Sequence, residues 1–513
     1  MQRKLAFSIS ALTGLRIVGT GVGIFSSIVL AYHFGAGKVA DAFFLAQSIP
    51  LIFAKFLQVG PFTRVFLPLY SRQASMREAA SSETRELAYN LFNGFSLGFL
   101  ALSLLLVFFA PLLIRVMAPG FDSETRRLAA QLAILMIATL WLTFCDEFFT
   151  VVLHASNRFI EAACLELVAP LTLCGAVVFG AGRWGIMSAA YGVLIGSVLQ
   201  AMGLYLLLAR KGFAYRFYLN FRRPELLQMF KTLLPFSTVA ISVQIQQIVF
   251  RVVASFIGPG TIAVFGYAEK FYHTLSNLFS VTIPTVLFPS FIQGVQQERL
   301  EEVRQLLRRG ARLLNFFLLP IVIGIMVIRE PLVRFLLERG SFGPAASEKT
   351  AVVLSLIMLG LLPVGVSNLL SRILFAFQKS ELVILGSLLS QFITIGTHLA
   401  FGIPFGMGGL AFSYALNGYL LLCFYALFAK GRLPGGLLAL LADSGQRRIA
   451  YAACLMGGIC VWAMRVPVPL FMVMVIGVAS YVLVSYLLRI EEIGAIGGFF
   501  RPRSFSVGGQ RHG

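Results

Sequence analysis

Phe34-Gly35-Ala36-Gly37-Lys38-Val39-Ala40-Asp41-Ala42-Phe43-Phe44 lies between two long apolar segments of the chain. It has a counterpart in Ile257-Gly258-Pro259-Gly260-Thr261-Ile262-Ala263, roughly 220 residues further on. Each is a Gly-rich turn of the kind that joins two helices with almost no loop, because glycine tolerates positive φ and close backbone approach. The pairing extends outward at the same spacing. Phe66-Leu67-Pro68-Leu69-Tyr70 parallels Leu287-Phe288-Pro289-Ser290-Phe291, and Pro119-Gly120-Phe121 parallels Arg339-Gly340-Ser341-Phe342. Leu153-His154-Ala155-Ser156-Asn157-Arg158 parallels Leu374-Phe375-Ala376-Phe377-Gln378-Lys379, and Gly185 to Tyr191 parallels Gly408 to Tyr414. The chain therefore reads as a duplication.

Of 513 residues, 58% are hydrophobic and 12% charged. Soluble domains carry about 25% charged residues, and an aqueous core cannot hide this much apolar surface. The expected fold is an all-α integral membrane protein of about 14 transmembrane helices. The apolar stretch after Met1-Gln2-Arg3-Lys4 continues to about Tyr32 without a cleavage signature, so it reads as a retained first helix. Two six-helix lobes form a parallel repeat, since an even number of spans returns the chain to its starting side. Two extra C-terminal helices follow. The expected boundaries are 1–210 for the first lobe, 211–224 for a basic cytoplasmic linker and 225–430 for the second lobe. Spans 13 and 14 fall in 431–488, and 489–513 is a disordered basic tail.

The formal net charge is +20. In a soluble protein this would suggest nucleic acid. Here Lys and Arg gather in alternate loops, about 25 on one side and about 9 on the other, which places both termini in the cytoplasm. The expectation is therefore a multi-pass protein with the bilayer, not nucleic acid, as its surroundings. All six cysteines fall in apolar runs and read as packing residues. The five histidines are scattered, and no P-loop, HExxH or GxSxG occurs. Neither an enzyme, a metal site nor a cofactor is expected.

Charged groups inside apolar spans cost at least about 2.5–3.5 kcal/mol each and need a reason. Arg16 lies in span one, Asp41, Lys55 and Arg64 in span two, Arg251 in span seven, and Glu269 and Lys270 in span eight. The plainer reading is that they pair with one another or snorkel to a surface. The functional reading places Arg16, Lys55, Arg64, Arg251 and Lys270 around a central cavity with few counter-ions. Such a site suits an anionic head group such as a pyrophosphate. Asp41 and Glu269 are then gating or pairing carboxylates.

The chain resembles the MurJ/MviN family, within the superfamily that also holds MATE exporters and O-antigen flippases. The residues that carry the resemblance are Phe34-Gly35-Ala36-Gly37, Asp41-Ala42-Phe43-Phe44, Gly60-Pro61-Phe62, Ala118-Pro119-Gly120-Phe121, Asn157-Arg158-Phe159 and Tyr267-Ala268-Glu269-Lys270. The resemblance implies an alternating-access flippase for an undecaprenyl-pyrophosphate-linked glycan, with lipid II as the family's substrate, in the bacterial inner membrane. It implies a role in peptidoglycan synthesis, and a drive from membrane potential or from a sodium or proton gradient. A monomer suffices for this mechanism. The family's Arg-Arg pair in span two is Ala54-Lys55 here, and the arginine opening span eight is Lys270. Those departures keep two other readings open, a flippase for another lipid-linked oligosaccharide and a MATE-type drug/cation antiporter.

Overall fold

The computed structural model describes residues 2–58, 82–156, 158–210, 215–220, 224–430 and 443–494. The Gly60-Pro61 break, Arg64, the Phe66–Tyr70 motif, Asn157 and the tail beyond Gly494 lie outside the described residues, as does the side chain of Arg16.

Among the described residues, fourteen long helices build the protein, and the short helix Ala110–Met117 follows the third of them. The long ones are α1 Gln2–Phe34, α2 Lys38–Gln58 and α3 Ser82–Phe108, α4 Ser123–His154, α5 Phe159–Trp184 and α6 Met187–Ala209. The second half holds α7 Pro224–Ile257, α8 Thr261–Gln296, α9 Leu300–Leu337 and α10 Pro344–Ala376. One continuous element, Ser380–Ala429, turns at Gly406 and divides into α11 (380–405) and α12 (407–429). The last two are α13 Ser444–Ala463 and α14 Leu470–Leu487. Strands are absent among the described residues. Large apolar side chains such as Phe108, Phe179, Val286, Phe405 and Phe471 lie exposed. This is the outward face that hydrocarbon demands of a helix whose backbone bonds close internally.

The duplication is written in the backbone. Gly185 between α5 and α6 has φ 53 and ψ −140, and Gly406 between α11 and α12 has φ 59 and ψ −141. Arg158 ahead of α5 has φ −101 and ψ 52, and Lys379 ahead of α11 has φ −102 and ψ 53. Arg158 N donates to Leu153 O and Lys379 N to Leu374 O, each at 2.9 Å. Two stretches with different side chains thus adopt the same turn, which is the physical content of the sequence repeat.

Asp122 caps α4. Its carboxylate accepts from the Thr125 amide and hydroxyl and lies 3.2 Å from Lys38 Nζ. The Thr125 hydroxyl first, and Lys38 second, hold this carboxyl down to about 2, so the cap is charged throughout the physiological range. In α9, Pro320 and Pro331 interrupt the hydrogen-bond ladder, and Ile328 leaves helical geometry at φ −97, ψ 15. Proline removes a donor and crowds the preceding turn, which accounts for the kink. A π turn at Ser276–Val281 interrupts α8. Asn368 of α10 donates to Ser280 O there at 3.0 Å, satisfying a carbonyl within the altered ladder.

The chain folds into two compact units. The first comprises Met1–Phe271, Val333–Val353 and Gln391–Ser413; the second comprises Tyr272–Leu332, Leu354–Ser390 and Tyr414–Gly513. In the first, α5 and α6 pack closely because Gly192 and Gly196 leave no Cβ between them. A Cβ on Gly196 would lie 2.8 Å from Ala169 Cα. Phe92, Phe95, Phe144, Phe148 and Phe149 form the core between α3 and α4. Asn90 and Asn93 of α3 clasp the segment entering the second half. Asn90 Oδ1 accepts from Asn220 N at 2.5 Å, and Asn93 Nδ2 donates to Tyr218 O at 3.0 Å.

In the second unit, α13 and α14 are fastened to α9. Tyr481 OH donates to Phe316 O at 2.8 Å and Asn315 Nδ2 to Gln446 Oε1 at 2.7 Å. Arg312 gathers Asp443 at 3.5 Å, Glu491 at 3.0 Å and Glu492 at 2.9 Å, from just before α13 and just after α14. Arg372 of α10 donates to Thr285 Oγ1 at 3.4 Å and lies 5.4 Å from the Phe288 ring.

Candidate functional site

The Gly turns of the two halves meet within the first unit. α1 ends at Phe34, Gly35 takes φ 63, and α2 starts three residues later. Asp41 sits in the first turn of α2 and is 1% exposed. Its Oδ2 accepts from Gly260 N at 2.5 Å and its Oδ1 from Ala263 N at 2.7 Å. These amides belong to the N-terminal turn of α8. The first amides of a helix have no partner within it, and the helix dipole favours an anion there. Asp41 thus supplies from one half the cap that the other half lacks.

The junction is dense. Gly260 has φ 86, and a Cβ there would lie 2.3 Å from Ala36 O. Tyr267 of α8 is fully buried, donates to Gly35 O at 2.8 Å and packs edge-on against Phe44 and Phe342. Gly340 and Ser341, between α9 and α10, close the same cluster. Ser341 N donates to Tyr32 O at 2.8 Å and its hydroxyl to His33 O at 3.0 Å. Gly120, ahead of α4, donates to Ser255 Oγ of α7 at 3.1 Å. Four turns, two from each half, are stitched together by donors and acceptors that none could satisfy alone.

The basic residues lie further along these helices. Arg251 of α7 is 8% exposed, and its Nη2 lies 3.4 Å from Glu269 Oε2 of α8, which is equally buried. Arg251 therefore has a counter-ion. One long contact does not exhaust either group, however: Arg251 Nε and Nη1 and Glu269 Oε1 are buried without a hydrogen-bond partner. Lys55 of α2 is exposed and lies within electrostatic reach of both Glu269 and Arg251. Lys270 is also exposed and runs beside α1: a Cβ on Gly23 would lie 3.4 Å from its Cε and 3.5 Å from its Nζ. Arg251 thus lies within electrostatic reach of Asp41, Lys55 and Glu269, which gathers four of the seven residues singled out in the sequence. Lys270 is anchored beside them in sequence and against α1 in space. Arg64 and the Arg16 side chain lie outside the described residues.

Sequence reasoning did not single out Tyr267, Ser255 or Ser341, although each lies in or beside a motif it noted. Nor did it single out a buried chain of Gln246, His398 and Ser413. Among the described residues no group of three or more metal-ligating side chains comes together.

Solved structures share this fold. One titled "Lipid II flippase MurJ, inward closed conformation" superposes with a TM-score of 0.79 at 23% identity, over 93% of this chain and 98% of that one. An inward-facing multidrug resistance MATE family transporter of the MOP superfamily gives 0.68 at 15% identity, over 85% of this chain and 99% of that one. The fold is the all-helical one of the MurJ and MATE transporter structures. The family model described as "Lipid II flippase MurJ" matches residues 30–481. The chain belongs to the MurJ family. Similar relatives include proteins named probable lipid II flippase MurJ. The one from Thermotoga maritima is 26% identical over 97% of this chain and 98% of its own length. The one from Helicobacter pylori strain J99 is 28% identical over 76% of this chain and 88% of its own.

Proposed function

We propose that this chain is a flippase that carries lipid II, an undecaprenyl-pyrophosphate-linked glycan, from the cytoplasmic to the outer leaflet of the bacterial inner membrane for peptidoglycan synthesis. The observation that carries the reading is the family match across residues 30–481, with nearly the whole repeat inside it. The alternating loop charge supports cytoplasmic termini. The working lobes are 1–210 and 225–430, with 431–488 as an appended hairpin, 211–224 as the basic cytoplasmic linker and 489–513 as the basic tail. The drive is the membrane potential or an ion gradient.

In this mechanism Lys55 and Lys270, exposed beside a buried Arg251–Glu269 pair, receive the pyrophosphate. A lysine ammonium is a point charge that binds phosphate without demanding one orientation. Arg251 still has two unpartnered donors, and Glu269 competes with the substrate for them. The arriving anion takes over part of the guanidinium, and its departure returns the pair. Asp41 holds the turns together on the side away from the entering lipid, and its release is the opening step. Arg16 and Arg64 complete the cationic lining.

Neutralising both lysines (Lys55→Gln with Lys270→Gln) should slow lipid II translocation in reconstituted vesicles by about 10- to 100-fold, since one charge-assisted hydrogen bond is worth about 1.5–3 kcal/mol. Lys→Arg at both positions should preserve most of the rate. Unchanged translocation in the double Gln variant removes these side chains from the site.

A further inference from the structure

His398, on α11 eight residues before the Gly406 turn, is fully buried, and both of its ring nitrogens are engaged. Nε2 lies 2.6 Å from Gln246 Nε2 of α7, and Nδ1 lies 2.6 Å from Ser413 Oγ of α12. The Ser413 hydroxyl in turn donates to Leu410 O at 2.8 Å. The Phe250 ring of α7 stands edge-on at 5.4 Å. These residues all belong to the first compact unit. One imidazole therefore ties three helices together in an apolar part of the protein.

The donor order is self-consistent. The Gln246 amide donates to Nε2, the Nδ1 hydrogen goes to Ser413, and the Ser413 hydrogen goes to Leu410 O. A second ring proton, taken up by the Nε2 lone pair, would face the Gln246 NH2 group. Turning over the Gln246 amide presents Oε1 to that proton as an acceptor. The seam can thus hold one ring proton or two with a single side-chain rotation. What it does not supply is a counter-charge. From α7 the ring meets Gln246 and Phe250; Arg251, the nearest charged residue along that helix, faces Glu269 at 3.4 Å. From α12 it meets Ser413, and residues 407–429 carry no charge; along α11 the one charged residue is Glu381, far from position 398. A buried charge without a partner is costly. A doubly protonated ring therefore favours any arrangement that lets water reach it, and a ligand that prefers one state shifts the population toward it.

We propose that His398 is a proton-binding site of the transport cycle: proton uptake at its Nε2 unfastens α7 from α11 and α12, and proton loss refastens them. This rests on the reading of the chain as an alternating-access transporter, and it selects the proton from among the possible driving ions. Of the residues that titrate between about pH 5 and 8, histidine is the ordinary choice.

The test is amide hydrogen exchange on the purified full-length protein in detergent, at about pH 5 and about pH 8, corrected for the intrinsic chemical rate. In the parent, exchange across residues 239–257 and 391–405 should rise about tenfold or more at the lower pH, matching about 1.4 kcal/mol of lost closure. His398→Gln, which keeps a neutral hydrogen-bonding side chain, should give the same exchange at both pH values. Gln246→Glu, which places a carboxylate against Nε2, should hold the seam closed at both and serves equally if the first variant does not fold. A parent pattern that ignores pH, or the parent's pH response retained in both variants, overturns the proposal. The readout needs no lipid, so failure to translocate lipid II would leave this result standing, and the reverse holds too.

Discussion

Asp41→Ala abolishes translocation and lets the two Gly turns part: that is the expected result with the largest effect. The carboxylate accepts from Gly260 N and Ala263 N, at 2.5 and 2.7 Å, with 1% of the residue exposed. Hydrogen bonds to a charged group are worth about 1.5–3 kcal/mol each, so the junction loses about 3–6 kcal/mol. It also leaves two amides at the start of α8 without a partner. No neighbouring side chain replaces them, because Gly260 touches the Ala36 carbonyl and has no room for a substituent. Asp41→Asn keeps one carbonyl acceptor and should show a smaller defect. The check is disulfide trapping between cysteines placed at His33 and Ser341, where the Ser341 hydroxyl reaches His33 O at 3.0 Å. The six native cysteines are first replaced. Trapping should be fast in the otherwise unchanged chain and at least about 100-fold slower with Asp41→Ala. Equal trapping rates would show that the carboxylate does not hold the turns.

The second large effect is expected from Glu269→Gln. Arg251 and Glu269 side chains are 10% and 11% exposed and meet at 3.4 Å. Removing one partner of a buried ion pair leaves an uncompensated charge and costs about 3–5 kcal/mol. The variant should therefore unfold at lower temperature in detergent. Arg251→Gln should do the same. The double variant, with no charge left to bury, should recover much of the loss, which is the signature of coupling in a double-mutant cycle. Additive losses would mean that the two residues are independently placed and that Glu269 is not the resident counter-ion of Arg251.

How far these features could be read beforehand depends on their range along the chain. Local backbone demands were legible where glycine announces them, as at the two Gly turns. The second repeat was read two residues off: the sequence set Gly185 opposite Gly408, whereas the backbone pairs it with Gly406. The chemistry of the site was only half legible. A cation in an apolar span signals itself, so Arg251, Lys55 and Lys270 stood out. Glu269 stood out as a gating or pairing carboxylate, but which cation it pairs with did not. Glu269 is 18 residues from Arg251, across a turn on a different helix, and no spacing rule within a helix pairs them. The sequence therefore suggested cations with few counter-ions, whereas the fold gives Arg251 one. Asp41 was visible as a buried carboxylate. Its partners are backbone amides some 220 residues away, and amides carry no sequence signal at all. His398 was passed over because it was sought as a metal ligand, among other histidines, while its partners are a glutamine and a serine.

The central claim is that this chain moves a pyrophosphate-linked glycolipid across a bilayer. The most direct measurement reconstitutes the purified protein in vesicles carrying labelled lipid II and follows its accessibility to an impermeant reagent added outside. Exchange of the label between leaflets should be rapid with the protein, should slow when Lys55 and Lys270 are both replaced by Gln, and should stop with Asp41→Ala. Exchange no faster than in protein-free vesicles, with the parent chain folded and correctly inserted, would contradict the account.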